Sequence, residues 1–116
     1  MKVIYIAGKY RGPNAWAIEQ NIRAAEDLAA LVWRMGLVAL CPHANARHML
    51  EGMIPDATAL EGTLELMRRC DAVLLVSNWR DSIGARLEVE EAARIGRPVF
   101  GSLLDLVEWS RSVDSV

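Results

Sequence analysis

Residues 72–76, Ala-Val-Leu-Leu-Val, form an uninterrupted apolar run in the second half of the 116-residue chain. A short run without a polar position is typical of a central strand in a parallel sheet that is covered on both faces. A helical pattern over residues 56–70 precedes this strand, and Asp56 is its expected N-cap. A polar loop at residues 77–82 follows and leads into a second helix over residues 83–95. This order of helix, strand, loop and helix indicates an α/β fold.

The flanking segments repeat the same alternation of strand and helix. Residues 2–7 form a β-branched run that predicts a first strand, and Pro13 then opens a long helical pattern. A second strand is predicted at residues 37–41. The helical segment between the two strands has the right length for a right-handed βαβ crossover. Residues 97–100 predict a fourth strand, and a last helix begins within residues 103–109.

The chain of residues 1–116 is expected to be one domain, a three-layer α/β sandwich with a flavodoxin-like or Rossmann-like parallel sheet. Four to five strands and helices on both faces are predicted. The formal net charge of -2 argues against a surface that binds polymeric nucleic acid or an anionic membrane. Since no apolar run approaches the roughly 18 residues of a membrane span, a cytoplasmic location is expected. The two cysteines lack the spacing of a metal site, so no metal is expected.

Ligands of an open parallel sheet bind outside the carboxyl ends of its strands, so the candidate residues are those that follow strands. Four segments qualify: residues 8–12, 42–45, 78–88 and the stretch after residue 100. Gly8 opens the first segment and is a candidate for substrate binding. Asp71 precedes the central strand instead, and we expect it to have a structural role at the opposite end of the sheet.

Glu88 is the strongest catalytic candidate on geometric grounds. On the predicted helix it falls inside the apolar arc to which Ala85 and Ala92 belong. A carboxylate that points inward at the active end of a sheet is costly unless it has partners. The alternative is a glutamate at the edge of the buried face, paired with a nearby arginine.

Several polar groups near this helix favour an anionic ligand. The helix start presents backbone N–H groups around Ser82 and Gly84, an arrangement that binds anions. Lys9 and Arg11 add two cations in the loop after the first strand. The structural alternatives are that Asp81 or Ser82 only caps the helix, and that the two basic side chains are only solvated.

Two further side chains in these segments have more than one interpretation. His43 could act as a general acid, contact the ligand or cap its loop. Trp79 lies in the polar loop and could stack on a base or pack at the rim. The other tryptophans, Trp16, Trp33 and Trp109, fall in helical patterns and are expected to pack.

Three motifs resemble those of the nucleoside 2-deoxyribosyltransferase-like superfamily, and the similarity extends from residue 2 to about residue 100. They are VIYIAGKYRG at residues 3–12, RRCDAVLLV at residues 68–76 and SIGARLEVEEA at residues 82–92. The resemblance implies that Glu88 attacks the sugar and that Tyr5 orients this glutamate. It also implies a homo-oligomer and a reaction that needs no cofactor.

Members of this superfamily that cleave deoxynucleoside 5′-monophosphates have a serine and an arginine that contact the phosphate. Ser82 and Arg11 match these positions, so the resemblance favours a nucleotide over a free nucleoside. The sequence departs from these members at Thr63, where they have an aspartate that assists departure of the base. Asp81 and Glu61 are the candidates to replace it, and His43 or Asp81 would help to protonate the leaving base.

The predicted function is therefore cleavage of an N-glycosidic bond, or base transfer, on a nucleoside or nucleoside 5′-monophosphate, with Glu88 as the nucleophile. The alternative is a nucleotide-binding module without catalytic activity, which Thr63 favours. A flavodoxin-like regulator would need a phosphorylatable aspartate at the carboxyl end of a strand, and no predicted strand ends in one.

Overall fold

The computed structural model describes residues 1–46 and 53–114, which form an α/β fold around a parallel sheet. The strands in the described residues are β1 (Val3–Ala7), β2 (Val38–Leu40), β3 (Ala72–Leu75) and β4 (Val99–Phe100). The helices are α1 (Ala15–Arg34), α2 (Pro42–Ala46), α3 (Asp56–Arg68), α4 (Ile83–Ile95) and α5 (Leu103–Asp114). A short 3-10 turn, Trp79–Asp81, precedes α4.

The four described strands are all parallel and have the order β2-β1-β3-β4, which is a flavodoxin-like order. Ile4 of β1 lies opposite Ala39 of β2 on one side and opposite Ala72 of β3 on the other. The chain moves outward from β1 to β2 and then returns past β1 to form β3. The topological switch point therefore lies between β1 and β3. The predicted fold class is confirmed, with four strands.

Side chains of β1 alternate between two core regions, one on each face of the sheet. Ile4 and Ile6 pack in the cluster that contains buried residues of α1 and α5. Tyr5 and Ala7 point to the other face, in the cluster that contains Met67 of α3 and residues of α4. The two-residue period of a strand therefore directs Tyr5 toward the face that α4 covers.

Three local expectations are wrong. Asp56 is the first residue of α3 and not its N-cap, because Pro55 occupies the cap position without a side-chain hydrogen bond. Trp16 and Trp33 do not pack, since 68% and 56% of their surfaces are exposed. Trp109 does pack, against the ring of Phe100 at a centroid distance of 5.5 Å.

The amino ends of the central strands are held together by Asp71. Its Oδ2 accepts a hydrogen bond of 2.8 Å from the backbone N–H of Val3, which agrees with the expected structural role. Among the described residues, no helix has both the length and the apolar character needed to cross a bilayer.

Candidate active site

A cavity of about 470 Å³ lies outside the carboxyl ends of the strands, next to the switch point between β1 and β3. Its walls come from the loop after β1, the start of α2, one side of α3, and the turn and first residues of α4. This is the place at which open parallel sheets bind their ligands. The cavity therefore brings together residues from three of the four segments that the sequence analysis selected.

Glu88 lies on the wall of this cavity and is almost fully buried, with 6% of its surface exposed. The Tyr5 hydroxyl donates a short hydrogen bond to Oε2 of its carboxylate. Burial raises the pKa of Glu88 to about 7, although the hydrogen bond from Tyr5 and the nearby side chain of Thr63 oppose this rise. No described lysine or arginine pairs with Glu88, so the alternative of a glutamate at the edge paired with arginine does not hold. That description fits Glu91, which contacts Arg68 at 2.6 Å.

Tyr5 is completely buried beneath Glu88. Burial, the charge of Glu88 and the hydrogen bond to it raise the pKa of Tyr5 well above its usual value. The hydroxyl therefore keeps its proton and remains a donor whenever Glu88 is ionised. This arrangement fixes the orientation of the carboxylate without adding a charge to the site.

Thr63 enters the site from α3, where it lines the same cavity. Its hydroxyl donates to the backbone oxygen of Leu60 at 3.1 Å. Contact with the Thr63 side chain also lowers the pKa of both Glu88 and Tyr5. Position 63 therefore places a neutral hydroxyl group close to the buried carboxyl group of Glu88. Glu61 is not among the described residues that line the cavity.

His43 lies on the cavity wall and is buried, with 5% of its surface exposed. Its ring Nε2 is 3.0 Å from the backbone oxygen of Lys9, to which it donates, and Nδ1 has no hydrogen-bond partner within the described structure. Burial lowers the pKa of this imidazole. A neutral ring at physiological pH is a weak proton donor, which favours a ligand contact over general acid catalysis.

Close packing of two loops explains the glycine at position 8. A Cβ atom on Gly8 would lie 2.6 Å from Cγ2 of Val76, which is too close for any side chain at position 8. The loop after β1 can therefore approach the end of β3, and the next residue, Lys9, donates its backbone N–H to Oδ1 of Asn78 at 2.9 Å. Both Gly8 and Lys9 line the cavity.

Ser82 is the N-cap of α4, because its Oγ accepts a hydrogen bond of 3.1 Å from the backbone N–H of Ala85. The capping interpretation is therefore correct, and it is compatible with a ligand because Ser82 also lines the cavity. Gly84 follows in the first turn, where a Cβ atom would have no neighbour closer than 3.8 Å. The start of α4 is thus open toward the cavity.

A second tyrosine of the cavity wall is Tyr10, which was not among the candidates from the sequence. Its ring lies 5.9 Å from that of His43, and the guanidinium of Arg11 lies 5.8 Å from the Tyr10 centroid. Trp79 is not among the described residues of the cavity wall, and its ring contacts Arg80 instead. The position of Tyr10 between the candidates Lys9 and Arg11 in this loop was the sequence feature that could have identified it.

Charged groups at the mouth of the cavity form an unexpected pair. Arg11 makes an ion pair with Asp56, the first residue of α3. Asp81 lies in the turn before α4 and also lines the cavity.

No three histidine, cysteine, aspartate or glutamate side chains of residues 1–46 and 53–114 form a group that could hold a metal ion.

Two solved enzymes have a similar fold. The first is a 2-deoxyribosyltransferase from Bacillus psychrosaccharolyticus, with 19% identity and a TM-score of 0.60 over 84% of this chain and 69% of that one. The second is a 2-deoxyribosyltransferase from Leishmania mexicana, with 20% identity and a TM-score of 0.59 over 86% of this chain. This chain covers 63% of the Leishmania enzyme, which is less than two thirds of its length. At these identities the similarity shows a shared fold, so the expected resemblance is confirmed at that level.

No curated protein matches the sequence. A family model described as a domain of unknown function (DUF7768) matches residues 2–101, which is most of the chain. The protein therefore belongs to the DUF7768 family.

Proposed function

We propose that this domain breaks the N-glycosidic bond of a nucleoside or nucleoside 5′-monophosphate, with Glu88 as the nucleophile. The observation that carries this proposal is a buried carboxylate that accepts a hydrogen bond from Tyr5 on the wall of a cavity. The fold shared with two 2-deoxyribosyltransferases supports the substrate class. Water as the acceptor gives hydrolysis, and a second base gives transfer.

The proposed reaction has two steps. The Glu88 carboxylate attacks the anomeric carbon, and the bond between this carbon and the base nitrogen breaks with its electron pair on the base. The sugar becomes an ester of Glu88, and the base takes up a proton. Water or a second base then attacks the same carbon and releases the carboxylate. Both steps pass through oxocarbenium-like states, which an adjacent carboxylate stabilises.

The ionisation of Glu88 sets the pH dependence of the first step. Only the carboxylate is a nucleophile, and burial raises the pKa of this group to about 7. The fraction of active protein therefore increases as the pH rises through about 7. The Tyr5 hydroxyl orients the carboxylate and is released from part of this interaction when the ester forms.

The remaining candidate residues have roles in binding and proton transfer. The proton for the leaving base is assigned to a water molecule held by the carboxylate of Asp81, which lines the cavity and is exposed to water. His43 is assigned a contact with the ligand, since burial lowers its pKa. A phosphate group, where the substrate has one, would bind Arg11 and the N-terminus of α4 at Ser82 and Gly84.

A panel of ribo- and deoxyribonucleosides and their 5′-monophosphates, assayed by chromatography for released base, tests the proposal. The matched variants are Glu88→Gln and Glu90→Gln, because Glu90 is an exposed glutamate on the same helix. Release by the wild type and Glu90→Gln, with loss in Glu88→Gln, supports the proposal. Absence of release from every compound, or full activity of Glu88→Gln, contradicts it.

A nucleotide-binding module without turnover is the second candidate. The neutral Thr63 beside Glu88 favours it, because α3 supplies no carboxylic acid at that position to assist the leaving base. This candidate predicts that nucleotides bind in the cavity but that no base is released.

A further inference from the structure

The ion pair between Arg11 and Asp56 connects two walls of the cavity, the loop after β1 and the first turn of α3. The side chains are 54% and 80% exposed, so the pair lies at the mouth of the cavity and in contact with water. The position of Asp56 in the first turn is favourable for a carboxylate, because the N-terminus of a helix carries a partial positive charge. Asp56 is thereby stabilised where it can reach Arg11.

This pair leaves the cavity without an excess of positive charge. The described cationic side chains of the wall are Lys9 and Arg11, and two exposed carboxylates, Asp56 and Asp81, balance them. Glu88 adds a further acidic group at the base of the cavity. A phosphate dianion would therefore enter a region that is neutral or negative.

The two classes of substrate differ in what they require of Arg11. A phosphate group forms strong paired hydrogen bonds with a guanidinium, and it must displace the Asp56 carboxylate to do so. A neutral 5′-hydroxyl group leaves the ion pair intact. Displacement is feasible because an exposed ion pair is weak, but it lowers the affinity for phosphate by up to about fivefold.

We propose that Asp56 is a specificity-determining residue that occupies Arg11 and so reduces the preference of the cavity for 5′-monophosphates over nucleosides. The inference rests on the proposed function, because it concerns the choice between the two substrate classes of the same site. Ser82 and Arg11 alone led to the expectation that the site favours a nucleotide. The inference about Asp56 differs from that expectation. The new element is the carboxylate that holds the arginine.

Isothermal titration calorimetry on the full chain tests this inference with inorganic phosphate and with 2′-deoxyadenosine and its 5′-monophosphate. The variants are Asp56→Asn, Arg11→Met and the double variant. Glu61→Gln is the matched control, because it removes the same charge from an exposed position of α3 that is not on the described cavity wall. Phosphate binding needs no turnover, so the result is independent of base release.

Asp56→Asn is expected to bind phosphate and the monophosphate about fivefold more tightly than the wild type, with unchanged affinity for the nucleoside. Glu61→Gln should remain within about twofold, since its charge is screened by solvent. The gain should vanish in the double variant, because Arg11 is the group that Asp56 occupies.

Three results would overturn the inference: no gain in Asp56→Asn, an equal gain in Glu61→Gln, or a gain that persists without Arg11. Absence of phosphate binding by every variant would also overturn it. If base release fails while the expected affinities are observed, the proposed catalysis is wrong and the role of Asp56 in anion selection stands.

Discussion

Replacement of Glu88 by glutamine is expected to stabilise the fold at pH 8 and to change its stability much less at pH 5. The carboxyl group is buried, and its pKa is about 7 in the folded protein against an ordinary value of 4.5. Glutamine has nearly the same shape, stays neutral at every pH and can still accept the hydrogen bond of Tyr5 through its amide oxygen.

The magnitude follows from the difference in proton binding between the folded and unfolded chains. Each pH unit over which only the unfolded carboxyl is ionised costs about 1.4 kcal/mol of stability. Between pH 4.5 and about pH 7 the loss of folding stability amounts to about 3 kcal/mol. Because the pKa is raised on folding, this contribution is fully present below pH 4.5 and is lost as the pH rises through about 7. From pH 5 to pH 8, Glu88→Gln should gain about 2–3 kcal/mol relative to the wild type.

Urea unfolding monitored by tryptophan fluorescence and circular dichroism, at pH values from 5 to 8, measures this difference. Glu90→Gln is the control on the exposed side of α4, and its effect should stay within about 0.5 kcal/mol at every pH. A difference between Glu88→Gln and the wild type that does not change with pH would refute the reasoning. It would mean that the Glu88 carboxyl has the same proton affinity in the folded and unfolded states.

Three further substitutions have defined outcomes. Tyr5→Phe removes a hydrogen bond that lowers the pKa of Glu88, so the rise of base release near pH 7 should move to higher pH in a pH-rate profile. Gly84→Ala should raise the free energy of unfolding by about 0.5–1 kcal/mol in a urea titration, because alanine favours the helix. Its methyl group should also weaken ligand binding measured by calorimetry. Asp71→Ala should lower the free energy of unfolding by about 1–2 kcal/mol, because the Val3 N–H loses its acceptor. Its kcat/KM should remain that of the wild type, since Asp71 lies at the opposite end of the sheet.

The elements with strong local signals could be predicted from the sequence. Helix α4 has the predicted bounds, Ile83–Ile95, because Ser82 caps its start and Gly96 ends it in the left-handed conformation with φ of 78°. The inward direction of Glu88 follows from the helical period alone. The observed strands are one or two residues shorter than predicted. β1 and β4 begin only after Lys2 and Pro98, and the apolar runs at β2 and β3 extend beyond the strands to Cys41 and Val76.

The contacts that depend on how α3 packs could not be predicted. Arg11 and Asp56 are 45 residues apart, and no local pattern indicates that they meet. Aspartate is favourable both at the N-cap and in the first turn of a helix, so composition does not distinguish these positions for Asp56.

The tryptophans show a second limit of sequence patterns. Helical periodicity identifies the buried face of α1 through Ala25 and Val32, but it does not require every apolar residue of the helix to pack. Trp16 and Trp33 are exposed for this reason. Assembly into a homo-oligomer stays a prediction.

The most direct test of the central claim is mass spectrometry of the protein after rapid acid quenching during turnover of a nucleoside or nucleotide substrate. Nucleophilic attack by Glu88 predicts protein with a covalently bound sugar, mapped to the peptide that contains this residue and absent in Glu88→Gln. Continued base release with no sugar on that peptide, or with the sugar on another residue, would contradict the account.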